Sequence, residues 1–579
     1  MSVLALLDVY KNSPRLFQLT DRLSFAQPQK IHLENLQGSS AQFVTAAVLN
    51  HPSCSQLNHL IVLNDAEDAA YFHNSLENLT GALDLFYFPS SFRQHKNFSL
   101  LNSSHVMLRT EALSKIASQL NNSGQVNKKV IVTYPEALVE KVAVPGALSA
   151  NIIFIKTGDV LDVENLLLKL SDYGFERSDF VYEPGQFAIR GGILDIYSFG
   201  NDKPYRVELF GNDVDSIRII DPESQLSERR LLQVSIIPNI ETQFNNEEKI
   251  SVVDFLPENT VVWIQDAELV KQRMNDSLEE LDSFLEFTNN NERVTNRNED
   301  SPERKIIKRN DFVLTSEFEE QITSRHVIYF GRSKPVNDDV FFTLHSNTKE
   351  QPAFNRQFEM LIKDMKSWAG KGFQLSIFAE NPKQLERLQA IFNDLNADLI
   401  FNPVPVSIHE GFIDEDLKIV CYTDHQVFQR YHKYKVKQAY NKSKALTLRT
   451  LRELQPGDFV THIDHGVGVF SGLQKIEANG KLQEAVRLIY KDSDILYVNI
   501  NSLHKIAKYT GKDGTVPKIN KLGSDVWNRL KDKTKARVKE IAFDLIKLYA
   551  KRKALLCNRA PAATSVRCGP PAPARRANT

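Results

Sequence analysis

A glycine-containing turn near the N-terminus, in LENLQGSSAQFVTAAV, is the first candidate for chemistry. A phosphate-binding loop needs glycine for close backbone approach and a lysine to neutralise the phosphoryl charge. Gly38, Ser39 and Ser40 supply the small residues, but Ala41 and Gln42 stand where the lysine should follow. The sequence therefore predicts no nucleotide site here, and we find no motor motif elsewhere in the chain.

Two clusters of possible metal ligands have simpler interpretations. The acidic run at 414–416 precedes the apolar strand LKIVCY instead of following one, so we interpret it as a solvated turn. His462 and Asp464 would share one strand face while His465 points away, and no further His or Cys supplies a fourth ligand. We therefore expect no metal site, no cofactor and no catalytic residues in this chain.

A β-rich segment instead carries residues suited to protein recognition. In PYRVELF, strand alternation places Arg206, Glu208 and Phe210 on one face, and in QFAIRGG it turns Arg190 outward. If these strands present the same side, the arginines and Phe210 form an exposed surface with the composition of an interface hot spot. Scattered surface arginines, with a Phe on a second core face, explain the same pattern equally well.

The elements that must position these residues follow an α/β pattern with an interruption. Buried strands run into helices at 128–138 and again at 260–269, which is typical of a parallel sheet covered by helices. Between them, 145–235 holds several strands close together, separated by turn residues. This arrangement predicts a β-rich domain inserted into an α/β domain.

The whole chain is expected to form a multidomain α/β protein. The predicted parts are an α/β domain at 1–144 and 236–345, the inserted domain at 145–235, a second small α/β domain at 350–440 with helices at 354–368 and 382–395, a basic linker at 441–454, a β-rich domain at 455–522, a long helix at 523–554 and a tail at 555–579. The Ala-, Pro- and Arg-rich tail differs sharply from the preceding chain. We interpret it as a vector-derived or shifted-frame segment, with a native disordered tail as the alternative.

Composition limits the classes of protein to consider. The 579 residues are 42% hydrophobic and 25% charged, which is ordinary for packed globular domains. The 71 basic and 72 acidic residues nearly cancel, so a nucleic-acid partner would have to be met by a local patch. Four cysteines, no long apolar run and no signal peptide predict a cytoplasmic protein without a disulfide framework.

Two segments also carry a family resemblance. YEPGQFAIRGGILDIYSFGNDKPYRVELFGNDVDSIRIID resembles the UvrA-binding domain shared by UvrB and the transcription-repair coupling factors, the Mfd family. PGDFVTHIDHGVGVFSGLQKIEANGKLQEAVRLIYKDSDILYVNINSLHKIAKY resembles the CarD-like, Tudor-type barrel that binds RNA polymerase. Both segments in this order, followed by KLGSDVWNRLKDKTKARVKEIAFDLIKLYAKR, are similar to the N-terminal portion of the coupling factors.

The resemblance implies partners and contact residues. It implies a UvrB-like α/β domain with a degenerate nucleotide loop, a UvrA contact, and an edge strand that pairs with the RNA polymerase β subunit. The implied UvrA-binding residues are Arg190, Arg206, Glu208 and Phe210, and the implied polymerase-binding residues are Leu473, Ile476 and Arg487. It also implies that the ATP-dependent helicase motor of the family, with its ATP, Mg²⁺ and double-stranded DNA, lies outside this chain.

The resulting hypothesis is a monomeric, non-enzymatic adaptor that binds a stalled polymerase and UvrA. One alternative is a UvrB-type, ATP-dependent excision subunit, which would bind nucleotide. Another is a CarD-like, DNA-binding transcription regulator that uses the basic segment at 430–452.

Overall fold

A computed structural model describes the larger part of the chain. The described residues are 3–81, 84–94, 97–121, 128–222, 225–243, 248–290, 307–331, 342–430, 455–462, 465–478, 481–499, 506–509, 517, 519, 521–522, 527 and 529. The chain divides into two compact units, Met1–Asn441 and Lys442–Thr579. The predicted basic linker and tail, and almost all of the predicted long helix, lie outside the described residues.

The first α/β segment alternates helices with short strands. Its elements are α1 (Val3–Lys11), α2 (Pro14–Leu23), β1 (Lys30–Glu34), α3 (Ser40–Leu49), β2 (Asn58–Val62), α4 (Ala66–Thr80), β3 (Asp84–Tyr87), β4 (Phe92–Gln94), β5 (Asn97–Leu101), α5 (Ser103–Asn121), β6 (Lys129–Thr133), α6 (Pro135–Leu138), β7 (Val142–Ala143) and α7 (Pro145–Ala150). Strands β2 and β6 are buried along their whole length, as expected of strands covered on both faces. Ser13 and Asp65 accept backbone hydrogen bonds at the starts of α2 and α4, which fixes where these helices begin.

The β-rich segment follows as a six-stranded sheet. Its elements are β8 (Ile153–Lys156), α8 (Val163–Asp172), β9 (Glu176–Arg177), β10 (Gln186–Arg190), β11 (Ile193–Ile196), β12 (Tyr205–Phe210), β13 (Asp213–Ile220), β14 (Ser227–Leu231) and β15 (Gln233–Ile236). The strand order is β14-β13-β12-β11-β10-β9, and all neighbours are antiparallel except β9 and β10. Strands β8 and β15 form a separate antiparallel pair where the chain enters and leaves this segment.

The chain then returns to the first sheet. Its elements are α9 (Ile240–Gln243), β16 (Lys249–Ile250), α10 (Val252–Phe255), β17 (Thr260–Gln265), α11 (Ala267–Asn290), α12 (Thr315–Ile322), β18 (Val327–Gly331) and β19 (Phe342–His345). The described strands form a seven-stranded parallel sheet in the order β19-β1-β18-β17-β2-β6-β3, so segments before and after the β-rich block share one sheet. Strands β7 and β16 pair antiparallel beside it, so entry and exit chains lie side by side in two successive strand pairs.

A second, smaller α/β sheet follows within the same unit. Its elements are β20 (Thr348–Glu350), α13 (Phe358–Gly370), β21 (Gln374–Phe378), α14 (Pro382–Asp394), β22 (Asn402–Val404), β23 (Phe412–Asp414), β24 (Ile419–Thr423) and α15 (Asp424–Val427), and the sheet order is β20-β23-β24-β21-β22. Helix α13 begins four residues later than predicted, because Asn355 and Arg356 have positive φ angles of 51° and 62° that a right-handed helix cannot contain.

The two α/β sheets pack on each other through aromatic side chains. Phe43 of α3 makes edge contacts with Phe378 and Phe412 of the smaller sheet. Tyr10 donates a hydrogen bond to Asp414, and Arg15 forms an ion pair of 2.9 Å with the same carboxylate. The acidic run is therefore not simply a solvated turn: Asp414 is fully buried at the end of β23, and the turn begins after it.

The second unit contains an antiparallel sheet in the order β28-β27-β26-β25-β29. Its strands are β25 (Phe459–His462), β26 (Gly466–Ala478), β27 (Lys481–Ile489), β28 (Ile495–Asn499) and β29 (Ile506–Lys508). One face carries the core residues Val460, Phe470, Val486, Leu488, Tyr490, Val498 and Ile506. Within the described residues this sheet is open, because β28 and β29 are its two edges and do not pair. The resemblance predicted a Tudor-type barrel, whereas the described residues form an open antiparallel sheet.

Candidate protein-docking surfaces

A tight hairpin presents Phe210 at the tip of the six-stranded sheet. Phe210 and Asp213 are opposite each other across a two-residue loop, in which Gly211 has a positive φ of 63° and Asn212 does not. This combination is that of a type II′ turn, which requires glycine at its first central position. The Phe210 side chain is 84% exposed, so a large apolar ring faces solvent.

Strand alternation gives the sheet one face that packs on the main core. The other face carries charged residues beside a small buried cluster that includes Ala188 and Tyr197. Val207, Leu194 and Ile217 are opposite one another on β12, β11 and β13, and all three are completely buried. The neighbouring positions, Asp195 and Arg206, are also opposite each other and point to the other face. The predicted separation of Arg206 from the core face is thus what the sheet register produces.

A buried carboxylate joins the two predicted arginines. Asp195 is fully buried, and its Oδ1 and Oδ2 accept hydrogen bonds of 2.7 and 2.9 Å from Nε and Nη2 of Arg206. Asp195 Oδ2 also accepts a 2.5 Å hydrogen bond from Nη2 of Arg190. Because Arg206 donates hydrogen bonds to the Asp195 carboxylate, the pKa of Arg206 is raised above its ordinary value. A single acid therefore fixes the positions of both guanidinium groups.

Arg206 is more enclosed than the sequence suggests. Its side chain is 14% exposed, against 32% for Arg190, because it is held by Asp195 and by the backbone carbonyl of Gln225. Arg190 is turned outward and is partly exposed, as predicted. Arg206 also lies on the outward face, but its side chain is less exposed than predicted. The reason is Asp195, which sequence reasoning did not single out.

Arg190 is also supported by an aromatic ring. Its guanidinium lies 4.2 Å from the centroid of Phe180, and it donates a hydrogen bond to the carbonyl of Asp179. Phe180 is 39% exposed and was not among the predicted residues. The signal that could have found Asp195 is its place in ILDI, where an acid alternates with core residues between two arginine-bearing strands.

Glu208 lies on the same face but pairs within the sheet. Its carboxylate accepts a hydrogen bond from the Ser216 hydroxyl and forms an ion pair of 3.1 Å with Arg218. The structure thus brings Arg190 and Arg206 together around Asp195, and places Glu208 beside them and Phe210 farther along the strand. We name the outward side of β10 to β14 the arginine face.

In the second unit, β26 and β27 extend beyond the rest of the sheet. Strand β25 pairs with β26 only from Gly466 to Val469, while β27 pairs with β26 as far as Ala478. The remainder of β26 therefore has no strand partner on its other side within the described residues. Gly472 has a φ of 99° at a bulge in β26, which marks the change from inner strand to free edge.

The predicted polymerase contacts do not lie on one face. Leu473 is 55% exposed and opposite Val486, on the side of the sheet that carries the core. Arg487 is half-buried and points to the other side, opposite Tyr497. Ile476 pairs with Gln483 along the free part of β26, and the placement of its side chain lies outside the described residues. Leu473 and the edge of β26 are thus contiguous, and Arg487 is separate from them.

The glycine-containing turn before α3 is covered by the smaller sheet. The backbone N–H of Ser39 donates to the carbonyl of Glu410, and the N–H of Glu410 donates to Ser39 Oγ at 3.0 Å. A Cβ atom at Gly38 would lie 2.6 Å from the carbonyl oxygen of Gly411. The backbone at this turn is therefore in close contact with the loop at Glu410 and Gly411.

Two histidines of the second unit, His462 and His465, lie closer together than their predicted opposite orientations imply. The rings of His462 and His465 lie 4.7 Å apart between centroids, so His465 does not point away from His462. Asp464 lies outside the described residues. Across the described part of the chain, no group of three or more potential ligands is arranged to hold a metal ion.

None of the helices that the structure describes is long and apolar enough to cross a bilayer.

Two family profiles match the chain in the segments that carry these surfaces. The UvrB interaction domain matches residues 153–241, which contain the arginine face. The CarD-like/TRCF RID domain matches residues 454–510, which contain the described strands of the second unit.

Curated relatives match most of the chain. It is 27% identical to the transcription-repair-coupling factor of Bacillus subtilis (strain 168), over 73% of this chain and 41% of the relative. It is 24% identical to the factors of Staphylococcus aureus (strain Mu50 / ATCC 700699) and Staphylococcus haemolyticus (strain JCSC1435), over 85% and 86% of this chain and 46% and 47% of the relatives. The chain thus spans less than half the length of these relatives. The matches confirm the resemblance found in the sequence: the chain is similar to the N-terminal part of the transcription-repair-coupling factors.

Proposed function

We propose that this chain is an adaptor with two docking surfaces, one for UvrA and one for the RNA polymerase β subunit. The arginine face and Phe210 would bind UvrA, and the free part of β26 would pair with a strand of the polymerase. Binding both partners would raise the local concentration of UvrA near a stalled polymerase and so couple transcription to excision repair. The name of the relatives, transcription-repair-coupling factor, supports this role.

One observation carries the UvrA part of the proposal. A buried acid holds two arginines on the arginine face, whose strand β12 ends in an aromatic ring that is 84% exposed. Pre-positioned arginines lose little conformational entropy on binding, and an exposed Phe gains most from burial. Arginine beside an aromatic residue is also the usual composition of an interface hot spot.

The polymerase part rests on the unpaired edge of β26. From Leu473 to Ala478 this strand pairs with β27 on one side only, within the described residues. A strand with a free edge can add a partner strand through main-chain hydrogen bonds, and an exposed apolar residue such as Leu473 adds selectivity. The side chain of Arg487 lies on the other face, so we give it a smaller part in this contact.

The covered turn at Gly38 supports a docking role over an ATP-dependent one. A UvrB-type subunit would need this backbone free for phosphate, and here it is hydrogen-bonded to Glu410. We therefore expect the purified chain not to bind ATP in a titration with a fluorescent nucleotide. Micromolar ATP affinity would favour the UvrB-type alternative, and duplex DNA binding by the segment at 430–452 would favour the CarD-like one.

The test of the UvrA site is Phe210→Ala. Loss of this exposed ring should weaken binding of UvrA to the full chain by about tenfold, measured by biolayer interferometry. The matched control is Leu232→Ala in the same domain, since Leu232 is 85% exposed and Phe210 84%. Both variants should keep the wild-type melting temperature. Equal UvrA affinity for Phe210→Ala and wild type would refute the site.

A further inference from the structure

A row of three arginines crosses the arginine face. In the sheet register Arg206 is opposite Arg218, and Arg218 is opposite Arg230 on the edge strand β14. Side chains that are directly opposite in neighbouring strands point to the same face and lie about 5 Å apart at Cβ. The row therefore runs from the centre of the sheet to its edge.

The acids on this face balance only part of that charge. Arg206 is paired with Asp195, and Arg218 with Glu208. Glu228, two residues before Arg230 on β14, is paired with Lys203. Arg230 is exposed, and its side chain has no hydrogen bond or ion pair among the described residues.

Like charges placed directly opposite one another destabilise a sheet. The first two arginines of the row are compensated by acids within the domain, and the third is not. A carboxylate supplied by a partner would complete the pattern, since Arg–carboxylate pairs are bidentate and strong. At its β14 edge, the arginine face thus presents a guanidinium group that could pair with an acid of a partner.

We propose that Arg230 is a further contact of the UvrA-docking surface, which extends across β13 to β14 and receives an acidic group of the partner. This inference rests on the proposed UvrA docking and extends it from Arg190 and Arg206 to the sheet edge. A phosphate of nucleic acid could also satisfy an arginine. We favour an acidic protein surface, because Phe210 on the same sheet face requires an apolar counterpart.

The experiment uses the full chain and purified UvrA from the same organism. Arg230→Glu should raise the dissociation constant about fivefold at low ionic strength and make binding less sensitive to added salt. The control is Arg229→Glu, which makes the same charge change at the neighbouring exposed residue. Arg229 is opposite Ile219 and therefore points to the other face of the same strand, so it should change the dissociation constant less than twofold.

The outcomes separate this inference from the function on which it rests. If Arg229→Glu and Arg230→Glu have equal effects while Phe210→Ala still weakens binding, the Arg230 contact is refuted and the UvrA site stands. If the wild-type chain does not bind UvrA, the proposed function itself fails. A short duplex DNA is the second probe: binding to it that is lost in Arg230→Glu, with UvrA affinity unchanged, would overturn the acidic-partner assignment.

Discussion

Asp195 determines how the arginine face is presented. It forms hydrogen bonds with both Arg190 and Arg206, and it is fully buried while they are partly exposed. A buried carboxylate is costly unless it is paired and hydrogen-bonded, so its arginines are needed for folding as well as for binding. Substitution of Arg206 should therefore lower stability together with UvrA affinity, contrary to what its expected exposure implied.

This dual role can be tested with Asp195→Asn. The amide keeps the shape but leaves two guanidinium groups without a counter-charge, and we expect the free energy of unfolding to fall by about 2–3 kcal/mol in urea titration. The comparison is Glu208→Gln. The side chains of Glu208 and Arg218 are each 29% exposed, so their ion pair should contribute less than about 1 kcal/mol to the free energy of unfolding. Equal losses of unfolding free energy in the two variants would show that Asp195 contributes no more to stability than a partly exposed ion pair does.

Sequence alternation was enough to place Arg206, Glu208 and Phe210 on one side of a strand, and to turn Arg190 outward. It could not identify Asp195 or Phe180 as their partners. Those contacts depend on which strands are neighbours and in what register, and pairing between β11 and β12 is not encoded locally. For the same reason the degree of exposure of Arg206 could not be predicted.

At the scale of single elements, strand β26 has two parts with different pairing. Its first part is an inner strand between β25 and β27, and its last part is an edge within the described residues. The bulge at Gly472 separates them, and only glycine adopts its φ of 99° without strain. An edge created in this way gives a partner strand access to the sheet.

Leu473→Ser tests whether that edge binds polymerase. Leu473 is exposed next to the free part of β26, and removing its apolar contact should weaken binding to the isolated β subunit by about tenfold in a pull-down titration with the full chain. Ile495→Ser is the control, because Ile495 is 40% exposed on the opposite face of the same sheet. A larger loss with Ile495→Ser would place the polymerase contact on the other face.

Most elements could be predicted from their apolar runs and flanking turns. The strand Thr260–Gln265 runs into a helix that begins at Ala267, as expected for 260–269, and the helix Pro382–Asp394 agrees with the predicted 382–395 to within a residue. Whether the sheet of the second unit closes into a barrel could not be derived in this way, because closure depends on long-range pairing of edge strands and not on their individual sequences. The domain boundaries and the contact residues remain predictions.

At the scale of the molecule, the two α/β sheets of the first unit share an interface that includes the turn before α3. Phe43 lies in the first α/β segment, and Phe378 and Phe412 lie in the smaller sheet. Local sequence patterns do not show that these rings meet, because the contact joins distant parts of the chain. The stacked rings of Tyr71 and His409, 3.7 Å apart, extend the same interface. The two sheets should therefore unfold together.

Gly38→Ala should disturb this interface directly. The added methyl group would lie 2.6 Å from the Gly411 carbonyl oxygen at a φ of 54°, and we expect the melting temperature to fall and the smaller sheet to become sensitive to limited proteolysis. Gly372→Ala is the control, since it has a positive φ of 80° but no atom within 4 Å of the added carbon. Similar proteolysis of both variants would attribute the effect to backbone strain and not to the interface.

The paired strands at the root of the β-rich domain have a mechanical consequence. The chain goes out through β7 and β8 and comes back through β16 and β15, each beside its counterpart. A force on this domain would be shared by two polypeptide segments that are held in register. A single connecting segment would let the domain rotate. A protein bound to the outer side of this domain would therefore keep a fixed orientation relative to the large parallel sheet.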